Sequence, residues 1–104
     1  MPRLAHHVYF TLNDRNDDAI DHLIEECQKY LTDHPGLVGF DAGRRDRTLD
    51  RPVNGDFDVS LHTIFDSRAS HDAYQTAARH LEFIDHNKDT WASVQVFDSL
   101  LADG

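Results

Sequence analysis

The chain has 104 residues, 39% of them hydrophobic, which suffices for the core of one domain over 1–104 and leaves no room for a second. Nineteen Asp and Glu against ten Lys and Arg give a formal net charge of −9. With no basic stripe to neutralise phosphates, this excludes nucleic acid and anionic membrane surfaces as partners. The single cysteine, Cys27, rules out an intramolecular disulfide and a cysteine-based zinc site, and the N-terminal run carries no secretory hydrophobic region. No stretch of about 20 apolar residues is present, so a soluble cytoplasmic protein is expected.

Leu4 to Leu12 reads as a strand. His6, Val8, Phe10 and Leu12 alternate with Ala5, His7, Tyr9 and Thr11, and both faces carry sizeable side chains. Asn13 to Asp18 supplies N-cap candidates and the negative charge that suits a helix start. Ile20, Leu23, Ile24, Cys27 and Leu31 then recur at helical spacing, with Glu25, Glu26, Gln28 and Lys29 opposite. That helix ends before His34-Pro35-Gly36, because the residue before proline resists the helical conformation and glycine suits the turn.

Leu37 to Gly43 is a second strand, with Val38, Phe40 and Ala42 on one face. Arg44 to Gly55 is a polar loop containing Pro52, Asn54 and Gly55. A third strand runs from Phe57 to Phe65, with Phe57, Val59, Leu61, Thr63 and Phe65 on one face and Asp58, Ser60, His62 and Ile64 on the other. Asp66 and Ser67 can cap a helix that runs to about Tyr74, and His80 to Asn87 forms a further turn or two. Trp91 to Phe97 is the last strand, with Ala92, Val94 and Val96 opposite Ser93, Gln95 and Phe97.

The order β-α-β-β-α-β predicts an α+β, ferredoxin-like subunit, an antiparallel sheet with helices on one face. The uncovered face then carries Tyr9, His62, Ile64 and Phe97. An apolar patch of that size is unusual on a monomer, so a homodimer through the sheet faces is expected.

On the helix side the same alternation groups an apolar box. Val8 and Phe10 lie beside His6, Leu23, Ile24 and Cys27 come from the first helix, and Leu61, Val94 and Val96 point the same way. Phe83 and Trp91 stand near the rim. Such a box fits either an open small-molecule pocket or a plain core. Tyr74 and His80, six residues apart, sit about 120° apart around an unbroken helix, so they share a target only if the chain bends between them. An unbent helix, with Tyr74 half buried and His80 in solvent, is the alternative.

Cys27, mid-helix, reads as a small hydrophobe rather than a reactive thiol. The eight histidines show no helical His-x-x-x-His pair. His6 and His7 point to opposite strand faces, while His22, His34, His71 and His86 fall among polar residues, so no metal site is expected.

These features together resemble the stress-responsive A/B barrel family of the dimeric α/β barrel superfamily. The resemblance runs in order along nearly the whole chain: His6-His7-Val8-Tyr9-Phe10-Thr11-Leu12-Asn13-Asp14; His34-Pro35-Gly36-Leu37-Val38; Phe57-Asp58-Val59 leading to Phe65-Asp66-Ser67; and Tyr74 through His80 to Phe83, followed by Val96-Phe97-Asp98. It implies a dimeric barrel with a pocket between each subunit's sheet and helices. Plant members that cyclise polyketides use a tyrosine and a histidine at the positions matching Tyr74 and His80, and the family's first-strand histidine matches His6. Many members carry His-Pro where this chain has Ala77-Ala78, and proline would enforce the bend.

The expectation that follows is a homodimer holding a small apolar or carbonyl ligand, with acid–base chemistry on an enolisable carbonyl compound. His80 would be the general base, Tyr74 the donor to the developing oxyanion, and His6 the group that orients substrate. No cofactor is implied, since nothing resembles a phosphate-binding loop. The alternative, favoured by Ala77-Ala78, is a non-catalytic stress-response or interaction protein with a vestigial pocket.

Overall fold

A computed structural model describes residues 2–102. The order is β1 (Leu4–Leu12), α1 (Asp17–Tyr30), β2 (Leu37–Arg44), β3 (Val59–Phe65), α2 (Arg68–Gln75), α3 (Ala78–Asn87), a 3-10 turn (Lys88–Thr90) and β4 (Trp91–Leu100). All strand pairs are antiparallel, in the order β2-β3-β1-β4, and the helices cover one face. This is the ferredoxin-like α+β arrangement.

Alternation in β1 and β3 behaves as strand geometry requires. His6, Val8, Phe10 and Leu12 are buried under the helices with Val59, Leu61, Thr63 and Phe65, while His7, Tyr9, His62 and Ile64 remain half-buried on the other face. The third strand begins at Val59 and not at Phe57. Asp58 is fully buried, where its carboxylate accepts the Leu12 N–H at 2.9 Å and the Arg15 Nε–H at about 3.0 Å. Serving those two donors turns the chain before Val59 and sends Phe57 to the uncovered face, 5.1 Å from the Tyr9 ring. The polar loop is tied to the same corner, with Thr11 donating to the Asp56 carbonyl and Arg45 N–H to the Asp58 carbonyl.

Asn16 caps α1 by accepting the Ala19 N–H at 2.8 Å, and Asp17 and Asp18 occupy the first turn, where the helix dipole favours negative charge. His34, expected on a polar face, is instead buried, with Nε2–H donating to the Tyr30 carbonyl that the end of α1 leaves free. The turn into β2 depends on Gly36, whose φ of +80° is open to glycine and strained for other residues. A Cβ there would also overlap the Ser70 side chain in the first turn of α2.

The core divides along the sheet. α1 packs on β2 and β3 and against α3. β4 forms an edge whose apolar residues Val94, Val96, Phe97 and Leu100 are 40–63% exposed.

Candidate functional site

Beneath α2 and α3, on the β1–β4 side of the sheet, lies a cavity of about 430 Å³. Its geometry is set by a break between the two helices. α2 ends at Gln75, Ala77 is extended (φ −64°, ψ 141°), and α3 restarts at Ala78. Alanine does not impose that break. Tertiary contacts do: Phe83 is drawn into the core at 2% exposure, and Arg79 donates to the Thr32 and Lys29 carbonyls, 2.8 and 2.6 Å away, at the end of α1. The change in helix direction brings Tyr74 and His80 onto one cavity, with ring centroids 4.4 Å apart.

The break also orients His80. Its Nδ1–H donates to the Gln75 carbonyl at 3.2 Å, leaving the Nε2 lone pair free of that bond. Burial, chiefly, lowers the His80 pKa below the ordinary histidine value, against a raising contribution from the Gln75 bond, so the ring is neutral at neutral pH. Burial pushes the Tyr74 phenol pKa up, with the nearby Cys27 adding to it, and the group stays protonated as a donor. Cys27 itself is pushed up to about 12 by burial, then by Glu26, which makes it an unreactive thiol.

Two residues of the cavity lining carry a buried polar atom that stands out. Among the described residues, the Tyr74 hydroxyl and the Trp91 indole Nε1–H are buried and have no hydrogen-bond partner. A buried donor left unsatisfied costs about 1–3 kcal/mol, so such groups are few in native structures and a bound acceptor is one way to satisfy them.

The third polar cluster was partly hidden in the sequence. The His6 Nδ1 lies 2.5 Å from the Asp98 Oδ1, across the β1–β4 register in which the two residues are partners. The His71 ring lies 4.9 Å from that of His6. His71 Nδ1–H faces the Asp72 carboxylate at 3.1 Å. Burial lowers the His6 pKa even though the Asp98 hydrogen bond and charge raise it.

Of the residues expected at the pocket, His6, Val8, Phe10, Leu61, Tyr74, His80, Phe83, Trp91, Val94 and Val96 line this cavity. Leu23, Ile24 and Cys27 do not. Leu23 and Cys27 are 1% and 0% exposed inside the filled core, and Ile24 packs against its margin. Alternation and helical period give the face a residue takes, but α1 crosses the β2–β3 side while the cavity opens on the β1–β4 side. His71, expected on a polar face, also lines the cavity, as do Asp98 and Gln75. Signals for the first two existed: His71 lies three residues before Tyr74 on one helix face, and Asp98 continues the Val94–Val96 alternation.

The model of the stress responsive A/B barrel domain matches residues 4–100. Among solved structures, a dimeric ferredoxin-like protein of unknown function from Thermobifida fusca is 21% identical, with 96% of this chain and 92% of that chain covered and a TM-score of 0.81. A Dabb family protein with a ferredoxin-like fold from Mesorhizobium loti is 16% identical over 99% and 100% of the two chains, at 0.80. The hydroxynitrile lyase from Passiflora edulis is 15% identical over 99% and 96%, also at 0.80. At such identities the likeness is one of fold. Among curated proteins none matches the chain significantly.

Proposed function

The chain belongs to the stress-responsive A/B barrel domain family, and on that premise we propose that it is a homodimer whose cavity binds a small, largely apolar carbonyl compound and moves a proton on it. The observation that carries this reading is the convergence of Tyr74, His80 and Trp91 on one apolar-lined cavity, with the Tyr74 O–H and Trp91 Nε1–H buried and unpartnered among the described residues. A ligand oxygen is what they lack. The lyase from Passiflora edulis, alike in fold, is an example of an enzyme on this scaffold.

In this reading His80 Nε2 takes a proton from the carbon beside the carbonyl, and the electron pair moves onto the oxygen as an enolate. Tyr74 donates its O–H to that oxygen, supplying a fixed dipole where charge develops. The Gln75 carbonyl on Nδ1–H holds the tautomer and stabilises the imidazolium that forms. His6 orients the substrate from the sheet floor. Support for the homodimer comes from the exposed apolar residues of β4 and from the aromatic cluster of Tyr9, Phe57 and Phe97 on the uncovered face. The similar protein from Thermobifida fusca is dimeric.

The test is deuterium exchange at the α-carbon of a panel of small enolisable ketones in heavy water, followed by NMR. The wild type should accelerate exchange of at least one ketone, and His80→Gln should lower that rate by about 10²–10⁴-fold, the usual contribution of a positioned base. Because burial lowers the His80 pKa, the rate should hold as pH falls to the ordinary histidine value near 6.5 and decline only below it. Exchange unaffected by His80→Gln would overturn the assignment of the base.

A further inference from the structure

We propose that His6, His71 and Asp98 form a binding site for one divalent transition-metal cation of the zinc, cobalt or iron(II) class, on the cavity wall between β1, β4 and α2. Each residue offers one ligand atom, and the three atoms lie within 4.8 Å of one another. Two imidazoles and one carboxylate are the donor set that borderline divalent cations prefer, with coordination positions left open.

The surroundings suit the role. Cation–nitrogen distances of about 2.0–2.1 Å and similar carboxylate distances bring neighbouring donors to roughly 3–3.5 Å. His6 and Asp98 are already closer than that, at 2.5 Å. Binding therefore replaces their hydrogen bond: the proton of the neutral His6 ring passes from Nδ1 to Nε2, and the freed Nδ1 lone pair takes the cation. The remaining separation closes by rotation of His71 and Asp98, which stand at the cavity mouth with side chains 13% and 44% exposed.

His71 also has the outer partner that a ligating histidine requires. Asp72, 3.1 Å from its Nδ1, fixes the ring so that Nε2 carries the lone pair. The Gln75 amide nitrogen lies 3.2 Å from that Nε2 and is the contact a cation would displace. All three ligands line the same cavity as Tyr74 and Trp91, so the open positions are offered to an oxygen of whatever the cavity holds. This goes beyond the acid–base proposal and does not depend on it, because the cation can be measured with no substrate present.

The experiment uses untagged protein and cobalt(II) chloride alone, read by visible ligand-field absorption and by equilibrium dialysis. One cobalt per chain is expected. His71→Ala and Asp98→Ala, each shown to be folded by its melting curve, should each weaken binding at least about tenfold. Asp72→Asn, whose carboxylate is not one of the three ligands but holds the His71 ring and pairs with Arg68, should weaken it by about 10- to 100-fold, while Arg68→Ala should leave it unaltered. His22→Ala, on the solvent side of α1, should leave it unaltered. Absence of a saturable spectrum, or a spectrum that persists at full affinity in folded His71→Ala protein, would overturn the proposal.

Discussion

Under α1, Ile20, Leu23 and Cys27 keep 2% or less of their surface, and so do Val59, Leu61 and Phe65 of β3 in the same core. Under the α2–α3 break, equally apolar residues surround a cavity of about 430 Å³, while Val94 and Val96 on its wall stay 40% and 50% exposed. The difference lies in the helices. α1 is one uninterrupted amphipathic element that lays a continuous stripe along the strands. α2 and α3 are short and change direction at Thr76 and Ala77, so they bridge the β1–β4 half and leave space. The first half is built for burial. The second leaves two donors without partners and turns three histidines and a carboxylate toward the gap.

The comparison breaks if the two halves respond alike to truncation. Leu23→Ala opens a hole in the filled half and should cost about 2–5 kcal/mol, measured by urea denaturation. Gly36→Ala strikes the turn where α1 hands over to β2, and strain at positive φ together with the overlap on Ser70 should cost on the order of 1–3 kcal/mol. A Gly36→Ala protein as stable as the parent would mean that α2 is not seated as described.

A sharper comparison comes from the break itself. Ala78 is the first residue of α3, where proline is well accommodated, and Ala77 before it already has the extended conformation that a following proline demands. Ala78→Pro should therefore stabilise the fold by about 0.4–1 kcal/mol; a proline in a continuous helix would instead cost about 3 kcal/mol or more. The sign alone decides whether the bend exists in solution. The smallest effect is expected at Tyr74→Phe. Its hydroxyl has no partner to lose, so thermal stability should stay within about 0.5 kcal/mol of the parent, or rise slightly. A large loss would mean that the hydroxyl serves the fold.

Much of this architecture was legible in the residues. The alternation of Val8, Phe10 and Leu12 and of Val59, Leu61 and Phe65 assigned the inward face, and Ile20, Leu23 and Cys27 assigned the α1 stripe. What stayed hidden was decided by contacts distant in sequence. A helix ending near Tyr74 and a second one from His80 were legible, but the cause of the break was not: Ala77-Ala78 favours a continuous helix, and Arg79 reaching the end of α1 with Phe83 entering the core overrules it. Alternation puts Asp58 on the strand face of Ser60, His62 and Ile64, but Leu12 at the end of β1 and Arg15 just after it take its carboxylate into the interior. His71 sits between polar neighbours in the chain, yet it faces His6 across the cavity mouth. Leu23, Ile24 and Cys27 lie in the sheet-covering layer expected of them but away from the cavity, because periodicity carries no information on which strands a helix crosses.

The most direct test of the account uses the one tryptophan. Trp91 gives a single indole N–H resonance, and that donor is one of the two groups said to await a ligand oxygen. Titrating nitrogen-15-labelled protein with small apolar ketones should move this resonance saturably for at least one compound. Tyr74→Phe should weaken that binding by the contribution of one neutral hydrogen bond, about 0.5–1.5 kcal/mol or roughly 2- to 12-fold. An indole resonance that no ketone shifts, or equal affinity in the Tyr74→Phe protein, would contradict the claim that the cavity is a ligand site built on these two donors.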